Sequence, residues 1–300
     1  MPLYLTEAEV GELLTPAEAY AAVEATFARL AAGEIENAPR ARLDIPDGVF
    51  AVMPCVDRAL GYAGLKTYAW TPDGTPFLVV LMSLDEPKVE AIVEADMLGQ
   101  RRTAAASAVA AKHLARPGAT SLGVLGCGRQ AASHVEAMRE MFPEVVVYAR
   151  NAKRLAKFCA DHKCTAAESH SEAAACDVVV TATSSTDPVV RGEWLRPGAL
   201  VVGVGANEPD ARELDNVVLE RASFVCTDSR AQARLEAGDL IESVERGVLD
   251  WLEVHELQDV VMGTLPGRSE DDDIVLFKSN GIPAWDIAAA ARVVELARAR

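Results

Sequence analysis

Between residues 121 and 148 an apolar run, Ser121-Leu122-Gly123-Val124-Leu125, breaks into Gly126-Cys127-Gly128-Arg129-Gln130-Ala131, continues with helical spacing from Ser133 to Met141, and meets a second apolar run at Val145-Val146-Val147-Tyr148. That order describes a strand, a tight turn, a helix and a second strand. Gly126 permits the turn, Gly128 lets backbone approach a ligand, and Ala131 lets the helix pack close to its strand, so the free N–H groups of the first helical turn can meet a pyrophosphate. A plain strand-turn-helix junction has the same glycines. The second apolar run, arriving about 20 residues on, favours a dinucleotide-binding unit.

The remainder of the chain after residue 120 keeps alternating. Apolar strands are expected at Asp177–Ala182, Leu200–Val204 and Phe224–Thr227 with helical stretches between several of them, the signature of a doubly wound parallel sheet of Rossmann type. The first part reads differently. Thr6 with Glu9, and Thr15-Pro16 with Glu18, mark two helix starts, and Ala19, Val23, Phe27 and Leu30 give the second helix its apolar stripe up to Gly33. From about residue 40 to 95 strands follow, at Arg42–Ile45, Val49–Met53, Ala63–Trp70, Phe77–Leu84 and Val89–Glu94, as in an antiparallel sheet; Asp96 then caps a helix to about Ala115. Ile274–Phe277, Asn280-Gly281 and an alanine-rich helix are expected to return to this first domain. The fold class is therefore α/β, with residues 119–273 as the Rossmann domain and residues 1–118 plus 274–300 as a discontinuous α+β domain.

The end of the second strand bears on the cofactor. An NAD-preferring fold places Asp or Glu there for the ribose hydroxyls, whereas this chain has Ala149-Arg150-Asn151 with Lys153 and Arg154 on the next turn. The cluster suits a 2′-phosphate, so NADP(H) is expected over NAD(H), with Arg150, Asn151 and Arg154 as its contacts; an ordinary solvated helix face is the alternative.

Net charge is −16, which disfavours a general nucleic-acid surface or an anionic membrane as partner and makes local cation clusters conspicuous. No span has the uninterrupted apolar length of a membrane helix and no basic-then-apolar signal opens the chain, so a cytoplasmic enzyme is expected. The six cysteines lack zinc-type CxxC pairing, and Cys159, His162 and Cys164 on one stretch make a poor metal site; no metal is expected.

Three cations in the first domain stand in unusual company. Arg40 precedes a strand, Lys66 lies within Gly64-Leu65-Lys66-Thr67-Tyr68, and Arg102 opens Arg-Thr-Ala-Ala-Ala-Ser, a helical face of very small side chains. Cations among apolar neighbours are costly without an anion, so a carboxylate ligand is expected; each alone could equally be a surface residue snorkelling off its element.

The chain resembles the ornithine cyclodeaminase and mu-crystallin family. The likeness runs nearly end to end, through Met53-Pro54, Gly64-Leu65-Lys66, Arg102-Thr103-Ala104-Ala105, Gly126-Cys127-Gly128-Arg129-Gln130, Thr181-Ala182-Thr183-Ser184, Gly192 to Ala199, Val204-Gly205-Ala206, Glu213-Leu214-Asp215 and Phe277-Lys278-Ser279-Asn280-Gly281. It implies a homodimer built through the N-terminal sheet. It also implies that Arg40, Lys66 and Arg102 hold a substrate carboxylate, that Lys66 assists proton transfer, and that Ala182, Thr183, Ser184, Val204 and Ser279 line the cofactor; Arg129 and Gln130 of the glycine turn are expected among its contacts. Lys66, desolvated beside cations, is expected to have a lowered pKa.

Two departures bear on the reaction. Where the family's cyclodeaminases carry an aspartate after the strand ending near Val204, and an acid two residues before Met-Pro, this chain has Asn207 and Ala51. Asn207 cannot serve as a base, so reduction of the C=N bond of a small imino acid is expected before ornithine cyclodeamination. Asp187, Asp210, Asp215 and Asp228 each have a loop or cap explanation, leaving no identified catalytic acid. A non-catalytic protein that binds nucleotide and carboxylate is the reading from another class.

Overall fold

The computed structural model describes residues 1–300 and separates into two compact units, Met1–Ala106 with Gly281–Arg300, and Ser107–Asn280.

The first unit begins with β1 (Leu3–Leu5), α1 (Glu7–Leu13) and α2 (Pro16–Ala31), followed by β2 (Ile35–Asn37), β3 (Ala41–Ile45), β4 (Gly48–Asp57), β5 (Tyr62–Trp70), β6 (Phe77–Ser83) and β7 (Val89–Glu94). Thr6 and Glu9 close a capping box on α1, and the Thr15 hydroxyl accepts from the Glu18 N–H at the start of α2. Strands β2 to β7 pair antiparallel. β1 adds to β7 in parallel, a three-residue strand too short to announce itself by alternation. Alternation then divides β4 and β5 into two faces: Ala51, Met53 and Cys55 pair across from Tyr68, Lys66 and Gly64 on the inner one. The terminal helix, Pro283–Arg298, covers that face, and a Cβ on Gly64 would stand 2.5 Å from the Ile287 Cδ1, so glycine lets helix and sheet close. Phe27 of α2 meets Trp285 of this helix at 5.9 Å between ring centroids.

Helix α3 (Asp96–Leu114) begins at the expected Asp96 and is unbroken across the division between Ala106 and Ser107. Asp96 is its first helical residue, and the N–H groups of Asp96 and Met97 are received by the Glu7 carboxylate, an acceptor 90 residues away from Met97.

The second unit carries β8 (Ser121–Leu125), α4 (Arg129–Met138), β9 (Glu144–Tyr148), α5 (Ala152–His162), β10 (Thr165–Ala166), α6 (His170–Ala174), β11 (Val178–Thr181), β12 (Leu200–Gly203), α7 (Asn216–Arg221), β13 (Ala222–Thr227), α8 (Arg230–Glu236), α9 (Gly238–Glu245), β14 (Val254–Glu256), α10 (Leu257–Val261) and β15 (Ile274–Lys278); α11 is the terminal helix of the first unit. Its eight strands are all parallel, in the order β10-β9-β8-β11-β12-β15-β13-β14. The chain reverses its direction of strand addition between β8 and β11, where such sheets open a crevice at their carboxyl ends.

The expected boundaries at 118/119 and 273/274 differ from these units for two physical reasons. Helix α3 has no break before Leu114. Strand β15 is hydrogen-bonded to β12 and β13 inside the parallel sheet, so the chain leaves this unit only at Gly281. No helix is long and apolar enough to cross a membrane.

Candidate active site

In the first unit the three expected cations are buried: Arg40 is 9% exposed, Lys66 5% and Arg102 5%. Lys66 sits mid-strand, paired across β4 and β6 with Met53 and Val79, so its side chain has no freedom to reach solvent along an edge. Its Nζ lies 5.4 Å from the Phe77 ring centroid and 3.2 Å from Oδ1 of Asp286, on the first turn of α11. Arg102 donates from Nε to the same Oδ1 at 2.9 Å, and Arg40 donates from Nε to the Met53 sulfur at 3.3 Å. One carboxylate oxygen thus serves two cations. Burial pushes the Lys66 pKa down to about 8, with Asp286 opposing the fall and Arg102 and Arg40 adding to it.

Two glycines clear space around these charges. A Cβ on Gly99 would stand 3.3 Å from the Lys66 Nζ, and one on Gly281, whose φ of +77° already favours glycine, would stand 2.7 Å from Nη1 of Arg102. That Nη1 is buried with no hydrogen-bond partner. A desolvated guanidinium edge of this kind fits a carboxylate.

In the second unit a cavity of about 410 Å³ opens at the carboxyl ends of β8, β9 and β11. Gly126, Gly128, Arg129, Gln130, Arg150, Asn151, Arg154 and Thr183 all line it. Gly126 has φ +118°, and a Cβ there would meet the Ala182 carbonyl oxygen at 2.4 Å, so the turn admits only glycine. Gly128 is the N-cap of α4 with no side-chain cap, no acid follows in the first turn, and a Cβ there would point into open space. Buried Oε1 of Gln130 has no partner. Uncapped N–H groups at a bare helix start are what a pyrophosphate requires, so the turn fits a dinucleotide.

Asn151 serves partly as structure: its Oδ1 accepts from the Arg154 N–H at 3.0 Å and caps α5. Arg150 and Arg154 are exposed beside it. Thr183 is fixed by Glu213, whose Oε1 accepts both its N–H at 2.8 Å and its hydroxyl at 2.7 Å, while Oε2 accepts from the Thr181 hydroxyl and the Gly205 N–H. Burial raises the Glu213 pKa, a tendency that nearby Lys278 opposes.

The cavity does not include Val204 or Ser279. The Val204 N–H donates to the Thr181 carbonyl, and the Ser279 hydroxyl donates to Asp228 Oδ2 at 3.0 Å, which also receives the Asn280 N–H at 2.9 Å. Asp215 caps α7 through the Val218 N–H. Of the liners, His170 was missed by sequence; its ring lies 4.3 Å from that of Tyr148, and burial, aided by Arg150, lowers its pKa. Asp286 was missed too. The available signal was one acid within the apolar helix start Pro283-Ala284-Trp285-Asp286-Ile287.

A model of the ornithine cyclodeaminase/mu-crystallin family matches residues 2–300. The chain belongs to this family. It is 36% identical to the alanine dehydrogenase of Archaeoglobus fulgidus over 98% of this chain and 94% of that protein. Among solved structures, the Thermococcus litoralis Δ1-pyrroline-2-carboxylate reductase in complex with NADH and L-proline superposes with a TM-score of 0.94 at 28% identity, covering 99% of this chain and 98% of the other. An archaeal alanine dehydrogenase dimer with bound NAD gives 0.92 at 35% identity, covering 99% and 96%. As a family member the chain has the NAD-binding Rossmann-like architecture of these structures.

Proposed function

We propose that the chain is an NAD(P)H-dependent oxidoreductase that reduces the C=N bond of a small imino acid, of ketimine-reductase or amino-acid-dehydrogenase type. The observation that carries this reading is the surplus of buried positive charge in the first unit: Lys66 and Arg102 share one oxygen of the Asp286 carboxylate, Arg40 is buried with its Nε on the Met53 sulfur, and one Arg102 guanidinium nitrogen stays unbonded. A substrate carboxylate completes the set, each charge-assisted bond contributing roughly 1.5–3 kcal/mol. The relatives named alanine dehydrogenase and Δ1-pyrroline-2-carboxylate reductase belong to the same reaction class.

In this reading Arg40 and Arg102 bind and orient the acid. Lys66, with a pKa of about 8, is an ammonium at neutrality yet close enough to it to give up a proton to the substrate nitrogen. The Gly126–Gln130 turn holds the pyrophosphate and Thr183 stands at its far wall. The bound nicotinamide supplies the hydride. Arg150 and Arg154 favour the 2′-phosphate, so NADPH is the preferred reductant. Reduction is preferred over cyclodeamination because Ala51, fully buried, and Asn207 offer no carboxylate to a second substrate amine.

The outer face of the first sheet supports a homodimer. Leu43 and Met82 on it are 62% and 43% exposed, and Phe50, Val52, Leu65 and Val80 are half-buried on the same side, an apolar surface that a second copy would cover. The six free cysteines suit a reducing compartment, and we place the enzyme in the cytoplasm.

The deciding experiment offers NADPH with a cyclic ketimine acid, or with pyruvate and ammonia or an amine, and in parallel offers ornithine with NAD. Loss of the reduced-nicotinamide absorbance with the imine supports the proposal. Ammonia from ornithine without net cofactor change would replace it with cyclodeamination, and binding of both ligands without turnover would replace it with a non-catalytic role.

A further inference from the structure

Asp286 has no part in carboxylate binding, yet it is the residue on which the buried cations depend. Its side chain is fully buried on the first turn of α11. Oδ1 receives Lys66 and Arg102, while Oδ2 is buried without a partner. The groups that face Lys66 come from every neighbouring element: Arg40 ahead of β3, Arg102 on α3, the Phe77 ring on β6 and Asp286 on α11; the Cys55 thiol on β4 also feels Asp286. Of these only Asp286 is negative. Without it, three cations would share a desolvated site and the lysine, the one that can lose its proton, would do so.

We propose that Asp286 is a positioning residue of the reductase: by giving one oxygen to both Lys66 and Arg102 it holds the lysine in its ammonium form and fixes the guanidinium with its unbonded Nη1 edge open to substrate. This rests on the reaction proposed above. There, the neutral imine carbon accepts a hydride, its nitrogen takes one proton from Lys66 Nζ, and the neutral amine of Lys66 regains a proton from water. A lysine that is already neutral before substrate arrives has no proton to give. Asp286 acts on Lys66 through its charge as well as through the single hydrogen bond.

The test is the Asp286→Asn variant, examined by the pH profile of kcat/KM, by NADPH titration, and by NMR of the Lys66 side-chain Cε–Nζ group without substrate or cofactor. An opposite charge within hydrogen-bond distance shifts a pKa by about 1–3 units, so the basic limb of the profile should move at least one unit towards acid. Activity at about pH 8.5 should then fall about sixfold more, or further for a larger shift, than activity at about pH 6.5, with the NADPH Kd within twofold of wild type. Asp286→Glu should retain the wild-type limb and show its cost in KM, because it keeps the charge and displaces the oxygen. An unmoved limb together with an unmoved Lys66 titration in folded Asp286→Asn would overturn the proposal. If that variant does not fold, wild-type Lys66 decides: a titration midpoint below 7 would mean the carboxylate does not sustain the ammonium. The NMR titration needs no turnover, so failure of the reductase reading and failure of this one are told apart.

Discussion

The two candidate ligand sites of this chain are built from opposite materials. In the first unit the cations are side chains, buried at 5–9% exposure, two of them held by a carboxylate 184 residues from Arg102, with glycines beside Lys66 and Arg102. In the second unit the candidate dinucleotide cavity is made of backbone, a positive-φ glycine and a bare helix start within a few residues of one another, and its charged members, Arg129, Arg150 and Arg154, are exposed. Exposed charge tunes affinity because water competes for it. Buried charge acts all or nothing, because an unpaired ion has nowhere else to go.

The contrast is broken first at Lys66. Lys66→Ala should lower kcat by roughly 10²–10⁴, the usual contribution of a positioned proton donor, with the NADPH dissociation constant nearly unchanged in a fluorescence titration. Retained turnover would remove Lys66 from the chemistry.

At Gly126, Ala adds a Cβ 2.4 Å from the Ala182 carbonyl at φ +118°. NADPH binding should weaken by about two orders of magnitude while the titration of Lys66 stays where it was, since strain there is confined to the turn. A shift of Lys66 would tie the two sites more closely than their materials imply.

The exposed cations should give a smaller, graded effect. Arg150→Asp is expected to cost NADPH about 10–100-fold in affinity and to leave NADH within a few-fold; an unchanged ratio of the two affinities would reject the 2′-phosphate role.

The last prediction concerns stability. His134 is fully buried on α4, its Nδ1 2.7 Å from the Gln130 carbonyl and its Nε2 2.9 Å from the Ser107 hydroxyl, and burial lowers its pKa to about 4. Because the unfolded chain takes up the proton near pH 6.5 and the folded one resists until about 4, stability should decline as pH falls through that window, by up to about 3 kcal/mol. A thermal-unfolding series in wild type and His134→Gln, in which only wild type loses this increment, would check it.

Local patterns were legible in the residues themselves. The capping pairs of α1 and α2, the strands of four or more residues and the Gly126–Gln130 turn each depend on neighbours in sequence, whereas β1, β2, β10 and β14, of two or three residues, were not read; eight of the ten expected cofactor contacts line one cavity. Val204 and Ser279 do not; they follow the ends of β12 and β15, where the Val204 N–H donates to the Thr181 carbonyl and the Ser279 hydroxyl to Asp228. The expected return of Ile274–Phe277 to the first domain failed because a fully apolar strand carries no mark of which sheet it will join.

The sequence by itself determined that this chain would hold a parallel sheet with a glycine turn before an uncapped helix, and that three cations sat among apolar neighbours, since turn geometry and burial preference are written residue by residue. Only the tertiary structure decided that Asp286 closes on Lys66 and Arg102, that Glu213 fixes Thr183, and that Glu7 receives the start of α3. Each of these joins groups 30 or more residues apart, and no local spacing encodes a charge pair that exists because two distant elements exclude water together.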